Sequence, residues 1–306
     1  MDYVLKTQGL YKRYKRFFAV NDANMNICRG DIYGFVGENG SGKTTIIRLI
    51  TGLIFANSGS YELFGVSNKS PQINDVRRKM GAVVESPSIY QNMSAYDNLK
   101  MQCNILGLSA DERIEKTLNE VGLGYVLNDK KHVSNFSLGM RQRLGIAMAL
   151  LGDPEFLILD EPMNGLDPAG IVEVRELILK LNRERNITFL ISSHILSELS
   201  LVATKYGIIS HGHIIKEITA AELQSEMAKT TDILVDNPEK LMELLTSLIP
   251  GCKVSYILDG VRFTGDIDLN KVLSAIINAD IRILSINSRV PSFEDYYLET
   301  IGGKRI

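Results

Sequence analysis

The sequence has few cysteines, almost no net charge and no long apolar segment. Its three cysteines, Cys28, Cys103 and Cys252, lie far apart with no CxxC pair, which favours reduced structural thiols over a metal site or a disulfide framework. A net charge of −2 excludes a whole-molecule attraction to nucleic acid, so no nucleic-acid partner is expected. No apolar run approaches the ~20 residues of a membrane helix, and the charged start lacks the apolar core of a signal peptide. The sequence therefore predicts a cytoplasmic protein, unless a partner holds it at the membrane.

Short apolar runs alternate with helical patterns along the first two thirds of the chain. Residues 156–159 and 187–190 are wholly apolar and flanked by helices, which is typical of central parallel strands covered on both faces. This alternation predicts an α/β domain that binds its ligand at the carboxyl ends of its strands. Further strands are expected at 17–27, 31–36, 60–64, 81–84, 206–210 and 213–217.

The order of elements changes after about residue 220. It becomes β-α-β-β-α-β, which is the order of a ferredoxin-like α+β domain. We therefore predict two domains, residues 1–219 and a small accessory domain at 220–306. The elements expected in the second domain are strand 232–235, helix 239–248, strands 253–258 and 261–264, helix 269–278 and strand 281–286.

The segment GENGSGKT at residues 37–44 lies between a predicted strand and a predicted helix. It fits the phosphate-binding pattern G-x4-G-K-[ST] in the context that the pattern requires, and the alternative is a glycine-rich turn with an incidental lysine. The glycines allow backbone N–H groups to converge on phosphate oxygens, and the helix N-terminus adds its dipole. Lys43 would supply positive charge to the β- and γ-phosphates, and the Thr44 hydroxyl would bind Mg²⁺. The predicted contacts to ATP are Gly37, Glu38, Asn39, Gly40, Ser41, Gly42, Lys43, Thr44 and Thr45.

Two carboxylates end the apolar strand at 156–159. Asp160 emerges at the carboxyl end of this strand, where it is placed to hold Mg²⁺ through water. Glu161 follows directly and is placed to polarise an attacking water as a general base. Two carboxylates at the end of a buried strand are costly without a cation to offset them, so this pair predicts the metal side of an ATP site.

The segment SLGMRQ at residues 137–142 resembles a degenerate form of the signature of the ABC ATPase family. The resemblance implies a P-loop NTPase with a parallel-sheet core, an antiparallel β subdomain and a helical subdomain at about 86–152. It also implies an ATP-driven, head-to-tail homodimer in which Ser137 and Gly139 contact the γ-phosphate bound to the other subunit. Ser137 as an ordinary helix N-cap is the alternative, and both roles can hold together.

Three further residues match family positions. The resemblance implies that Asp167 lies in a loop that contacts the partner subunit, and that His194, after the next strand, contacts the γ-phosphate. A lone histidine after a strand is otherwise most often structural. Tyr14 aligns with the aromatic residue that stacks on adenine. Its surroundings, KRYKRFF at 12–18, also resemble a nucleic-acid patch, but no second basic cluster extends this patch into a track.

Glu85 is a departure from the family pattern, which usually has glutamine at this position. A carboxylate there adds negative charge near the γ-phosphate, so we predict that Glu85 faces Mg²⁺ directly or through water. The alternative is that it points to solvent. VVESPSIY at 83–90, together with the ending SFEDYYLETIGG, resembles the subgroup that confers bacitracin and lantibiotic resistance.

The apolar residues Pro87, Ile89, Tyr90 and Met93 follow this position. In the family this region forms a groove for a cytoplasmic helix of the permease, and ordinary core packing is the alternative.

The sequence thus predicts an ATP-hydrolysing subunit with Lys43, Glu161 and His194 as catalytic residues and Thr44, Asp160 and Glu85 around Mg²⁺. The resemblance implies two partners, a second copy and a separate transmembrane permease that would hold the subunit at the inner face of the cell membrane. It also implies a role in export of, or resistance to, antimicrobial peptides. One alternative is a non-transport ABC-type ATPase that acts on a cytosolic macromolecule, and another is a P-loop phosphotransferase. The first usually has two nucleotide domains or long insertions in one chain, and the signature segment argues against the second.

Overall fold

The computed structural model describes residues 2–227, 229–265 and 267–302. The chain divides into two compact units, Met1–Ala220 and Ala221–Ile306. The strands are β1 (Tyr3–Tyr14), β2 (Phe17–Ala23), β3 (Asn26–Cys28), β4 (Ile32–Val36), β5 (Ser58–Leu63), β6 (Val66–Ser67), β7 (Met80–Val83), β8 (Phe156–Asp160), β9 (Thr188–Ser193), β10 (Lys205–Ser210), β11 (His213–Thr219), β12 (Thr230–Val235), β13 (Lys253–Ile257), β14 (Gly260–Thr264) and β15 (Ile283–Arg289).

The α-helices follow the same chain order. Within the described residues, none of them is long and apolar enough to cross a membrane. They are α1 (Lys43–Ile50), α2 (Ile73–Arg77), α3 (Ala95–Leu106), α4 (Asp111–Glu120), α5 (Leu138–Leu150), α6 (Pro168–Arg185), α7 (Leu196–Leu199), α8 (Ala220–Glu226), α9 (Pro238–Leu248), α10 (Leu269–Asn278) and α11 (Phe293–Thr300).

A central sheet with strand order β11-β10-β4-β9-β8-β7 forms the core of the first unit. The strands from β10 to β7 are parallel, and β11 returns antiparallel to β10. All residues of β4, β8 and β9 are buried, as their apolar runs predict for strands covered on both faces. Because β4, β9 and β8 are neighbours, the segments that follow their carboxyl ends meet at one edge of the sheet.

A second, antiparallel sheet packs beside this core. Its strand order is β2-β1-β5-β6, and β3 also pairs with β1. The long strand β1 was not expected from the sequence. The strand expected at 17–27 is divided into β2 and β3, with β2 pairing with one part of β1 and β3 with another.

Helices α3, α4 and α5 form the expected helical region between the strands β7 and β8. The Ser94 side chain begins α3 by accepting a hydrogen bond from the Asp97 N–H, and Gly107 ends it in the left-handed region at φ 67°. Leu99 and Cys103 are buried in this region. Leu106 follows the same helical spacing, but it is 44% exposed at the end of the helix.

The second unit has the β-α-β-β-α-β order that the sequence predicts. Its antiparallel sheet has the strand order β13-β14-β12-β15. Its core combines residues of β12 and β14 with one face each of α9 and α10. The fully buried members include Ile233, Val261, Leu241, Leu245, Val272 and Ile276. Helices α8 and α11 are additions to the expected order.

Candidate active site

The loop between β4 and α1 folds into a tight cradle around the Lys43 ammonium group. Lys43 is 6% exposed, and its Nζ donates to the carbonyl oxygens of Gly37 at 2.6 Å and Glu38 at 3.2 Å. Gly42 has a φ of 114°, and a Cβ there would lie 2.4 Å from the Ala19 carbonyl oxygen, so only glycine fits. The loop therefore holds a buried cation at the N-terminus of a helix.

The cradle also contains a buried hydroxyl that lacks a partner. Ser41 Oγ is buried and forms no hydrogen bond in the described part of the chain. An orphaned polar atom of this kind carries a desolvation cost that a ligand oxygen would relieve. The unpartnered Ser41 hydroxyl and the Lys43 ammonium group together fit a bound phosphate, which would accept hydrogen bonds from both.

Side-chain oxygen atoms from α1, β8 and β9 meet beside the cradle. The Thr44 hydroxyl donates to Asp160 Oδ2 at 3.0 Å, and the Ser192 hydroxyl donates to Asp160 Oδ1 at 2.5 Å. Asp160 is 1% exposed. A hydroxyl and a carboxylate are ligands that Mg²⁺ prefers, so this donor set fits the expected metal.

Glu161 connects the cradle to His194. Its Oε2 lies 2.7 Å from His194 Nδ1, and its Oε1 lies 3.6 Å from Lys43 Nζ. The Glu161 backbone N–H donates to Ser192 Oγ at 2.9 Å, and this hydrogen bond fixes the backbone directly after β8. Burial lowers the pKa of Lys43, while Glu161 and Asp160 act in the opposite direction. The carboxylate is thus held by two basic side chains, in a place from which it can accept a proton from a water beside the phosphate site.

Glu85 forms an ion pair with an arginine, a partner that the sequence did not predict. Its Oε1 lies 2.6 Å from Arg48 Nη2, and its backbone adopts a φ of 61°, which is uncommon for a residue other than glycine. Arg48 lies one turn beyond Thr44 on α1. In this structure the negative charge of Glu85 is therefore offset by α1, and contact with Mg²⁺ stays a prediction.

The signature residues lie at the start of α5, where Ser137 is the N-cap. Its Oγ accepts a hydrogen bond from the Met140 N–H at 3.2 Å, so the predicted capping role is present. Ser137 is exposed, and Gly139 is buried in the first turn. Among the described hydrogen bonds, none joins Ser137 to the cradle of its own chain.

Asp167 and Tyr14 also lie outside the cluster around Lys43. Asp167 caps α6 by accepting a hydrogen bond from the Gly170 N–H at 3.2 Å. Tyr14 ends β1 with an exposed ring, and Lys12 Nζ lies 5.2 Å from the ring centroid. A ring of this kind is able to stack on a base, and the neighbouring ammonium adds a cation–π contact.

Comparison with known proteins identifies the family to which this chain belongs. A family model described as "ABC transporter" matches residues 20–164. A bacitracin transport ATP-binding protein of Bacillus licheniformis is 41% identical over 100% of this chain and 100% of the relative. The chain belongs to the ABC transporter ATP-binding family.

Two further ABC proteins agree in sequence and in fold. A lantibiotic transport ATP-binding protein of Streptococcus pyogenes is 47% identical, covering 70% of this chain and 90% of the relative. The structure of cbiO1 from Clostridium perfringens, part of the ABC transporter complex cbiONQ, matches with a TM-score of 0.65 at 25% identity and covers 82% of this chain and 97% of that chain. The predicted fold class and ATPase activity are confirmed: this ABC ATPase binds and hydrolyses ATP.

The site of this ABC ATPase includes two side chains, Ser192 and Arg48, that its motifs do not predict. Ser192 binds both Asp160 and the Glu161 backbone, and its position two residues before His194 on a neighbouring strand is the signal that was available. Arg48 is four residues after Thr44, one helical turn along α1. No motif names Arg48, so its pairing with Glu85 was not visible in the sequence.

Proposed function

We propose that this ABC ATPase drives a transporter whose membrane-spanning permease is a separate polypeptide. The cargo would be an antimicrobial peptide of the bacitracin or lantibiotic class, which is the class named for two of its relatives. The observation that carries the ATPase side of the proposal is the Glu161 carboxylate held between His194 and Lys43 beside the phosphate cradle. The subunit would then act at the inner face of the cell membrane through its permease.

The roles in nucleotide binding follow from the placement of each group. Backbone N–H groups of residues 37–45 and the Lys43 ammonium would bind the phosphates, with the Ser41 hydroxyl gaining a partner. Tyr14 would stack on the adenine. Thr44 and Asp160 would hold Mg²⁺, with Glu85 as an additional ligand directly or through water. Bound Mg²⁺ supplies positive charge to the phosphate oxygens.

The complete site would form between two copies of the chain. The exposed Ser137 and the helix N-terminus at Gly139 would reach the γ-phosphate bound to the other copy, and Asp167 would contact that copy. Glu161 then accepts a proton from the attacking water, and His194 contacts the γ-phosphate. ATP binding would close the dimer and hydrolysis would release it, and this cycle would pass motion to the permease.

The proposal is tested in a peptide-sensitive bacterium that expresses this subunit together with its permease. The expected result is resistance to bacitracin or to a lantibiotic that is lost in Lys43→Ala and in Glu161→Gln. A strain in which neither variant lowers resistance, while both are expressed and folded, would refute transport driven by this site. Resistance to neither class of peptide in the parent strain would refute the proposed cargo alone.

A further inference from the structure

The turn between β1 and β2 presents a compact group of basic and aromatic side chains. The two strands close at the pair Tyr14 and Phe17, with Lys15 and Arg16 in the turn between them. We call residues 13–18 the hairpin tip, and all of these residues are exposed. The proposed nucleotide site uses Tyr14 alone, so the other side chains of the hairpin tip are left without a role.

Two phenylalanine rings of the hairpin tip face solvent. Phe17 is 62% exposed and Phe18 is 48% exposed. Phe17 lies opposite Tyr14 and Phe18 lies opposite Arg13, so the two rings project from opposite faces of the hairpin. Transfer of such rings from water into an apolar phase is favourable, and this favours a partner that covers the end of the hairpin.

The cations of the hairpin tip have no carboxylate to neutralise them. In the described part of the chain, Arg13, Lys15 and Arg16 form no ion pair. The guanidinium group of Arg13 lies 5.8 Å from the centroid of the Phe18 ring, which keeps a positive charge beside an apolar surface. The positive charge of all three side chains therefore remains available to a partner.

The segments around the hairpin tip also lack acidic residues. The sequence has no Asp or Glu between residues 3 and 21. The loop that contacts the hairpin includes Asn57, whose Oδ1 accepts a hydrogen bond from the Arg13 N–H at 2.7 Å. This loop belongs to residues 39–61, which contain no Asp or Glu either. Both segments thus leave the positive charge of the tip uncompensated.

Cations and exposed rings in one compact group fit the surface of an anionic membrane. Lys and Arg side chains are attracted to anionic headgroups, and aromatic rings enter the boundary between headgroups and acyl chains. A nucleic acid requires a longer track of cations, and no second basic cluster extends the tip. A second copy of the chain would bring the same positive charges, so a symmetric contact between two tips would be repulsive.

The small net charge of the chain is compatible with a local contact of this kind. A net charge of −2 gives the whole molecule no attraction to an anionic surface. At ~0.15 M salt, however, interactions between exposed charges are screened beyond about 8 Å. The local charge of the tip therefore decides the contact, and the contact should weaken as salt is added.

We propose that the hairpin tip binds an anionic lipid surface. Arg13, Lys15 and Arg16 contact the headgroups, and the rings of Phe17 and Phe18 enter between them. This contact is with the lipid itself, so it rests neither on the permease nor on the cargo of the proposed function.

Sedimentation of the full-length chain with vesicles, in the absence of any permease, tests this contact. The probes are vesicles of phosphatidylcholine alone and vesicles of equal parts of phosphatidylcholine and phosphatidylglycerol. The chain should sediment with the anionic vesicles and not with the neutral ones, and added salt should release it.

A double variant in the turn removes two of the cations. Lys15→Asn combined with Arg16→Gln should weaken binding to the anionic vesicles about twentyfold, since each cation near an anionic surface contributes about fivefold. Asparagine suits the left-handed backbone of Lys15, which has a φ of 52°. The matched control combines Lys180→Gln with Arg183→Gln, which removes two exposed cations from α6 and should bind as the parent does.

Entry of a ring into the membrane has a separate spectroscopic readout. The sequence has no tryptophan, so Phe17→Trp introduces a single fluorescent reporter at the hairpin tip. Its emission should shift to shorter wavelength with the anionic vesicles and stay unchanged with the neutral ones. Tyr125→Trp places the same reporter at a position that is 69% exposed outside the tip, and its emission should not shift.

Several results would overturn the proposal. They are equal binding to both kinds of vesicle, equal weakening in the turn variant and the α6 control, and vesicle binding without an emission shift in Phe17→Trp. Binding to a single-stranded oligonucleotide but not to anionic vesicles would assign the tip to nucleic acid and also overturn it.

ATP affinity of the turn variant distinguishes this contact from the nucleotide site. An affinity within about twofold of the parent is expected, and a failure of vesicle binding would then leave the proposed function intact. A larger loss of ATP affinity would assign Lys15 or Arg16 to the nucleotide and would contradict the lipid contact.

Discussion

Replacing Glu161 with glutamine removes the proposed base while preserving the shape of the site. The backbone at Glu161 has a φ of 51°, and glutamine has the same side-chain shape, so the substitution adds no new backbone strain. Lys43 loses an ion pair at 3.6 Å and becomes freer to bind a phosphate. We therefore expect ATP affinity to be retained or slightly raised.

The expected loss of turnover follows from the loss of general-base catalysis. Such a contribution is typically ~10²–10⁴-fold, which corresponds to about 3–5 kcal/mol on the activation barrier. A neutral amide keeps a contact to His194, now 2.7 Å from the carboxylate, but it cannot accept the proton of the attacking water. Turnover is measured under saturating MgATP, and dimer formation is followed by size exclusion with and without MgATP. The variant should accumulate as an ATP-bound dimer.

The control is Glu176→Gln, which removes an exposed carboxylate on α6. It should hydrolyse ATP at the parent rate. Turnover of Glu161→Gln within twofold of the parent would refute the role of Glu161 as the base, and failure to accumulate a dimer would refute the trapped state.

Three further predictions follow from the ion pairs and the division of the chain. Glu85→Gln should leave the nucleotide affinity measured without Mg²⁺ nearly unchanged and shift the Mg²⁺ concentration for half-maximal ATPase activity by about fivefold. Superimposable Mg²⁺ titrations of the parent and the variant would refute contact between Glu85 and Mg²⁺. Residues 1–219 alone should bind ATP within about tenfold of the full chain, because every predicted phosphate contact lies before residue 195; a larger loss in a folded truncation would place a nucleotide contact beyond this boundary. In the second unit, the hydrogen bond from Arg262 lowers the pKa of Asp232, so their pair stabilises the fold above the unfolded carboxyl pKa and this contribution is lost as pH falls through the folded value. Arg262→Gln should therefore cost about 1 kcal/mol in urea unfolding at neutral pH and less near pH 3, and an equal cost at both would contradict this assignment.

The sequence alone predicts the strands that bring the catalytic groups together. The apolar runs in β4, β8 and β9 are buried in the sheet. Lys43 and His194 lie in the segments that follow β4 and β9, and Asp160 is the last residue of β8. Burial on both faces leaves an unbroken apolar run, which is a strong local signal. The conformation of the glycine-rich loop also depends on its glycines, because there is no room for a Cβ at Gly42.

The features that the sequence missed depend on neighbours distant in the chain. Strand β1 mixes polar and apolar residues over its length, and it is defined by pairing with β2, β3 and β5 together with several register shifts. Ser192 meets Asp160 only because β9 lies beside β8. Leu106 continues the helical spacing of Leu99 and Cys103, but it lies at the end of α3 beside an open pocket and is 44% exposed, which periodicity does not report.

If two copies of the chain share each complete site, then two inactive variants with defects on opposite sides of that site should restore activity when they are mixed. Glu161→Gln lacks the base and Ser137→Ala lacks the hydroxyl that would reach the partner's γ-phosphate. When the two are mixed before MgATP is added, a mixed dimer contains one site with both defects and one intact site. Random pairing of equal amounts should restore about a quarter of the parent ATPase activity if the two sites work independently. Activity of the mixture no higher than the average of the two variants measured alone would contradict the shared site.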